Sequence, residues 1–213
     1  MPDPSSGHVH EISTHLYIGD RHAALDLDTL RKYGITHIVN CAKELRNYHE
    51  SRPECEFTYL RVPLEDTPFE RLPPVLPQAL DFIESALTEG SSVLVHCNGG
   101  SSRSGSVVVA WWMRKHLCDW SEAIAACKAL RSVVHPGSGF VLALRAFQST
   151  LHGAPPVSPL TPDTVNTMAQ DFADVCCCER MARGDVNPFA DYDKLREWFR
   201  SRILAGVTET ERP

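Results

Sequence analysis

This 213-residue chain has no run of about eighteen apolar residues, so no segment of it reads as a membrane-spanning helix. It lacks a basic-then-apolar opening, and Pro2 stands where N-myristoylation needs glycine, so neither a secretory leader nor membrane insertion is expected. Excess positive charge is missing too: 21 Lys and Arg face 27 Asp and Glu, a formal net charge of −6, with no Lys/Arg cluster. Nucleic acid and anionic membrane surfaces are therefore not expected as partners. Metal-ligand spacing is absent as well. His8, His10, His15 and His22 follow no ligand pattern, and Cys176, Cys177 and Cys178, on a helix, fan out by about 100° per residue and cannot all reach one ion. No metal or cofactor is expected.

Cysteine is not scarce: there are 8, and hydrophobic residues make up 43% of the chain. That content suits one ordinary domain plus an extension. Cysteines without secretory features imply reduced thiols, hence the cytoplasm or the nucleus.

The most informative segment is His96-Cys97-Asn98-Gly99-Gly100-Ser101-Ser102-Arg103-Ser104. Before it, Ser92-Val93-Leu94-Val95 suits a buried strand, and after it, Val107 to Met113 suits a buried helix. A strand-to-helix loop of this kind can turn successive backbone N–H groups inward, and the helix N-terminus adds positive potential, so the loop suits an anion. Gly99 and Gly100 are expected to let the backbone close around a phosphate, and Arg103 to clamp two of its oxygens with a planar fork. Asn98, Ser101 and Ser102 complete the cup. Cys97 then sits where N–H dipoles, helix terminus and Arg103 all favour a thiolate. Ser104 is placed to hydrogen-bond the sulfur and make it a better leaving group, and His96 to orient the loop from below.

Phosphate ester cleavage also needs an acid for the leaving oxygen, which a cysteine nucleophile cannot supply. Asp66 is the candidate, in the Pro-bounded loop Leu64-Glu65-Asp66-Thr67-Pro68 after the strand-like Phe57 to Val62; Glu65 is the competing choice.

HCNGGSSRS resembles the HCxxGxSRS signature of dual-specificity protein phosphatases. His15 to Asp20 resembles that family's opening "LYIG" strand, Leu30 to Asn40 its "L…GITHVLN" helix and strand, and Arg131, Pro136, Gly139 and Phe140 its "R…NPNxGF" stretch. The likeness runs from about Ile12 to Leu151. It implies an α/β fold with a central, mostly parallel twisted sheet flanked by helices, and Cys97 as nucleophile, Arg103 as phosphate clamp and Asp66 as general acid. It also implies phosphorylated proteins as substrates, with phosphoserine and phosphothreonine admitted beside phosphotyrosine. Where the family usually has Asn-Pro-Asn, this chain has His135-Pro136-Gly137, which removes side-chain amides that support the active-site loops. A mid-chain loop with Asp66 upstream argues against low-molecular-weight and rhodanese-like phosphatases. Arg46-Asn47-Tyr48 reads as an exposed turn, not a tyrosine-recognition loop. Two alternatives remain: a phosphoinositide phosphatase, disfavoured by the neutral Asn98, Ser101 and Ser102, and a non-catalytic phosphoprotein-binding scaffold. Cys41, near the end of a strand, resembles the position of a second cysteine in phosphatases of regenerating liver and tensin-type phosphatases, which would make it a redox partner of Cys97 or simply a buried thiol.

Around this domain, assigned to 11–152, residues 1–10 are expected to be flexible and 153–162 to form an extended Pro-rich linker. A helical extension, 163–213, follows. Thr161-Pro162 suits a helix start, Val165, Met168, Phe172 and Val175 recur at helical spacing, and Tyr192, Leu195, Trp198, Phe199 and Ile203 form a second stripe. The second stripe is expected to pack on the main domain, a partner-binding face being the alternative. Trp111, Trp112 and Leu117 read as core.

Overall fold

Among the described residues, five strands, β1 (Val9–Ser13), β2 (Leu16–Gly19), β3 (Ile35–Ala42), β4 (Thr58–Leu64) and β5 (Ser92–His96), form one sheet in the order β1-β2-β5-β3-β4. The β1–β2 pair is antiparallel; β2–β5, β5–β3 and β3–β4 are parallel. This computed structural model describes residues 8–51, 57–67, 70, 72–155, 161–182 and 192–204. Among the described residues, eight helices accompany the strands: α1 (Arg21–Leu25), α2 (Leu27–Lys32), α3 (Leu76–Thr88), α4 (Arg103–His116), α5 (Trp120–Leu130), α6 (Ser138–Gln148), α7 (Pro162–Ala182) and α8 (Tyr192–Leu204). Among the described residues, no helix is long and apolar enough to cross a membrane.

Alternation along the strands divides the core in two. Val39, Cys41, Val93 and Val95 face α3, α4, α5 and α6, whereas Ile38 and Leu94 face the small cluster of Ala23, Ala24 and Leu30 on α1 and α2. The central helix α4 is buried nearly all round, which its run Val107-Val108-Val109-Ala110-Trp111 requires. It is tied to α3 by Trp111 Nε1, which donates to Glu84 at 2.9 Å. β5, its following loop and α4 thus sit at the centre, with the strand's C-terminal end opening toward the loops that follow β3 and β4.

Three expectations need correction. Val9 and His10, placed in a flexible terminus, belong to β1, because their backbones pair with Gly19 and Ile18. Leu117 is 46% exposed and not core, because it adopts the left-handed conformation that ends α4. Asn47 is not in an exposed turn: it is 8% exposed and accepts at 3.1 Å from Asn40 Nδ2, which also donates to Leu45 O at 3.0 Å.

The extension starts as its sequence indicates. Thr161 Oγ1 accepts from Thr164 N at 3.1 Å, and Pro162 opens α7, where a missing N–H costs nothing. Met168 and Ala169 of α7 and Phe199 of α8 join the same apolar cluster as Phe140 and Leu144 of α6, with Leu195 and Trp198 partly buried against it. The side chains of Phe172, Val175, Cys176, Cys177, Cys178 and Ile203, and residues 156–160 of the Pro-rich linker, lie outside the described residues.

Candidate active site

The loop between β5 and α4 closes on Cys97. Gly100 N donates to Cys97 Sγ at 3.2 Å and Ser104 Oγ donates to it at 3.1 Å, while Cys97 itself is buried. Gly100 makes this closure possible. Its φ of +66° lies in the left-handed region, and a Cβ there would come within 2.7 Å of Gly19 O and 2.8 Å of Arg131 Nη2. At Gly99, by contrast, a Cβ would meet no other part of the fold within 4 Å. From outside, Asn98 O accepts from Arg21 N at 3.1 Å, Gly100 O from Arg131 Nε at 3.0 Å, and Ser101 O from His135 N at 3.3 Å. Ser101 Oγ donates to Val133 O at 2.5 Å. With these carbonyls engaged by neighbouring elements, the backbone N–H groups are left for the inside of the cup.

Arg103 opens α4 with its side chain only 4% exposed. Its Nη1 donates to both carboxylate oxygens of Glu44, at 2.8 and 2.6 Å, and to Leu64 O at 3.3 Å. In a planar guanidinium that leaves the Nε/Nη2 edge, the edge that matches two oxygens of a phosphate. Arg103 Nε lies 3.4 Å from Asp66 Oδ2, close enough for attraction but not aligned as a hydrogen bond; this buried N–H has no acceptor among the described residues. A buried donor aimed at the cup is what a bound oxyanion would satisfy.

The two acidic candidates after β4 separate in space. Glu65 pairs with Lys43 Nζ at 2.5 Å, whereas Asp66 accepts from Ser102 Oγ at 2.6 Å and lies beside Arg103. Glu70 shapes this loop by accepting from Glu65 N at 2.7 Å. Ser102 caps α4 without bonding the helix's own N–H groups, so those donors also stay available.

Behind the loop, His96 is 1% exposed, with Nδ1 against Cys97 O at 3.4 Å. Burial lowers its pKa to about 4, so the ring is neutral at physiological pH. Cys41 is fully buried, and burial, followed by the nearby Cys97, raises its pKa well above the usual thiol range. The β3–β5 register pairs Asn40 with His96, which sets Cys41 beside Cys97 one residue further on.

Other groups at the site are not signalled by any motif. Glu44 holds Arg103, and its own carboxyl is lowered chiefly by the hydrogen bond from that guanidinium. His10, assigned no role from sequence, places Nδ1 2.5 Å from Arg131 Nη1, and Arg131 in turn holds Gly100 O. Burial, and then the Arg131 charge, lowers the pKa of His10, which suits it to accept from that cation. Among the described residues there is no cluster of three or more His, Cys, Asp or Glu able to hold a metal ion.

Comparison with known proteins agrees with this geometry. A segment of 140 residues is 36% identical to human Protein phosphatase Slingshot homolog 3, covering 66% of this chain and 21% of that protein, so the chain spans about a fifth of the relative's length. The crystal structure of human tyrosine phosphatase-like serine/threonine/tyrosine-interacting protein aligns with TM-score 0.62 and 31% identity, over 67% of this chain and 96% of that one. The crystal structure of DUSP15 aligns with TM-score 0.60 over 92% of this chain and 97% of that one; at 24% identity it speaks for the fold alone. The family profile described as "Dual specificity phosphatase, catalytic domain" matches residues 16–150, the span that carries Cys97, Arg103 and Asp66, and on that match this chain belongs to the dual-specificity phosphatases of the cysteine-dependent protein tyrosine phosphatase superfamily.

Proposed function

We propose that this chain is a protein phosphatase that hydrolyses phosphotyrosine and phosphoserine or phosphothreonine through a phosphocysteine intermediate. The observation that carries this reading is the convergence of Ser104 Oγ and Gly100 N on Cys97 Sγ, at 3.1 and 3.2 Å, inside a loop bordered by a buried guanidinium. Two donors on one sulfur stabilise a thiolate in a site that also attracts a phosphate dianion.

In the first step the Cys97 thiolate attacks phosphorus in line. A sulfur–phosphorus bond forms and the ester bond to the leaving oxygen breaks, while the Nε/Nη2 edge of Arg103 and the loop N–H groups hold the other phosphate oxygens. Asp66 gives its proton to the departing alkoxide or phenoxide. In the second step the Asp66 carboxylate takes a proton from water as the water oxygen bonds to phosphorus; the sulfur–phosphorus bond breaks, inorganic phosphate leaves, and Ser104 steadies the returning thiolate. No residue in this scheme needs a metal. Because the nucleophile reacts as a thiolate, the reading also favours a reducing compartment, the cytoplasm or nucleus.

Phosphorylated proteins are the favoured substrates over phosphoinositides. The loop side chains Asn98, Ser101 and Ser102 are uncharged, and the rim carries Glu44 and Asp66, half-exposed at 51% and 48%. A headgroup with several phosphates would meet carboxylates there instead of lysines.

Hydrolysis of a small aryl phosphate by wild type and Cys97→Ser tests the reading. Turnover abolished by the substitution is the expected result. Absent turnover by the wild type, with tight phosphopeptide binding, would make the chain a phosphoprotein-binding scaffold instead.

A further inference from the structure

Ser102 does something that its place in the signature does not announce. Its backbone belongs to the phosphate loop, but its side chain points to the loop after β4: Ser102 Oγ donates to Asp66 Oδ1 at 2.6 Å and accepts from Gly137 N at 3.4 Å. We infer that Ser102 is the positioning residue for the general acid, holding Asp66 over the phosphate loop in both halves of the reaction. The inference rests on Asp66 being the acid, as proposed above.

The surroundings of both side chains support it. Asp66 has a half-exposed side chain at the turn of a polar loop, and such a carboxylate has many rotamers to lose before it can reach a leaving oxygen. The Ser102 bond fixes Oδ1, which leaves Oδ2 3.4 Å from Arg103 Nε, on the side where the guanidinium edge is open to phosphate. A hydroxyl also suits a group that must gain and lose a proton, since it donates to the carboxylate and can accept from the acid. Finally, position 137 explains why this hydroxyl is available. Gly137, standing where the resembling family usually has asparagine, offers Ser102 only a backbone N–H, and that donor takes an oxygen lone pair without engaging the hydroxyl proton. The proton remains for Asp66. The hydroxyl also makes no bond to the N-terminus of α4, the usual use of serine at a helix cap.

The role differs from loop building in what it predicts. An acid matters most when the leaving group is a poor one, so loss of its anchor should depend on the leaving group, whereas damage to the phosphate cup should affect all esters alike. The experiment compares wild type, Ser102→Ala, Asp66→Ala and the double variant on phenyl phosphate and on an aryl phosphate whose phenol is strongly acidic, with inhibition by inorganic phosphate as a measure of the cup. Ser102→Ala is expected to lose roughly tenfold or more in kcat/KM, which reports phosphocysteine formation alone, on phenyl phosphate and less than about twofold in kcat/KM on the activated ester, with phosphate inhibition unchanged. In the Asp66→Ala background the same substitution should add nothing on either ester. An equal loss on both esters, or a further leaving-group-dependent loss without Asp66, would overturn the assignment.

The two readings fail separately. If Asp66→Ala itself shows no leaving-group dependence, the acid is misassigned and both fall; if Asp66→Ala shows it and Ser102→Ala does not, only the anchor falls. Should Ser102→Ala prove too unstable to assay, Ser102→Thr and Ser102→Val, alike in bulk, isolate the hydroxyl: threonine is expected to keep the shallow wild-type leaving-group dependence and valine to show a steeper one. Equal behaviour of these two would also overturn the inference.

Discussion

Arg103 Nη1 donates to both oxygens of the Glu44 carboxylate, at 2.8 and 2.6 Å, so the phosphate clamp is itself clamped by a residue from the loop after β3. Because a neutral amide offers a single acceptor oxygen, Glu44→Gln should loosen the guanidinium. A fall of roughly tenfold in kcat/KM, equivalent to about 1.4 kcal/mol, is expected, and steady-state kinetics on one ester measures it. Unlike loss of the acid, this fall should be the same for good and poor leaving groups.

The glycines of the loop should behave unequally. Gly100→Ala forces a side chain into left-handed backbone and against Gly19 O, so it should destabilise the protein by at least about 1–2 kcal/mol and abolish most activity. Gly99→Ala meets no protein atom and should leave the melting temperature nearly unchanged. Thermal unfolding of the two variants checks the contrast.

Oxidation should join two cysteines. The strand register puts Cys41 beside Cys97, and neighbouring strands lie about 4.7–4.9 Å apart, within the span a disulfide bridges. We propose that mild peroxide yields a Cys41–Cys97 disulfide that dithiothreitol reverses, and that Cys41→Ser makes inactivation irreversible. Peptide mapping that finds Cys97 overoxidised beside a free Cys41 in the wild type would rule it out.

His96 sets an acid limit on stability. Its pKa falls from 6.5 when unfolded to about 4 in the fold, so below pH 6.5 the unfolded chain binds the extra proton. The folded state is fully favoured above 6.5 and loses up to about 3 kcal/mol as pH falls to 4. Denaturant unfolding across that window should show a shallower pH slope for His96→Asn than for wild type, whatever the offset in stability between them.

The C-terminal helices should prove part of the fold's stability. Met168 and Phe199 are 3% and 2% exposed, and burying side chains of this kind contributes about 1.5–3 kcal/mol each. A chain ending at His152 should therefore melt lower and be less soluble. An unchanged melting temperature would show that α7 and α8 add nothing to the core.

What the sequence determined alone is local and periodic. The short apolar run Val93-Leu94-Val95, the glycines after Cys97 and the apolar run from Val107 specify strand, loop and helix in order, because apolar runs and backbone freedom act over a few residues. The reactive loop was legible for that reason, as was the start of α7 at Thr161-Pro162.

Only the tertiary structure decided how the loop is equipped. Glu44 reaches Arg103 across 59 residues, Ser102 meets Asp66 across 36, and His10 meets Arg131 across 121. The strand order brings these partners together: β5 lies between β2 and β3, so the loops after β3 and β4 and the support behind Gly100 converge on one strand end. The same long-range packing separated Asp66 from Glu65, buried Asn47 and drew Val9 into the sheet. Hydrogen bonds between residues distant in sequence leave no periodic trace, because their spacing along the chain is set by the elements in between and not by the chemistry of the contact.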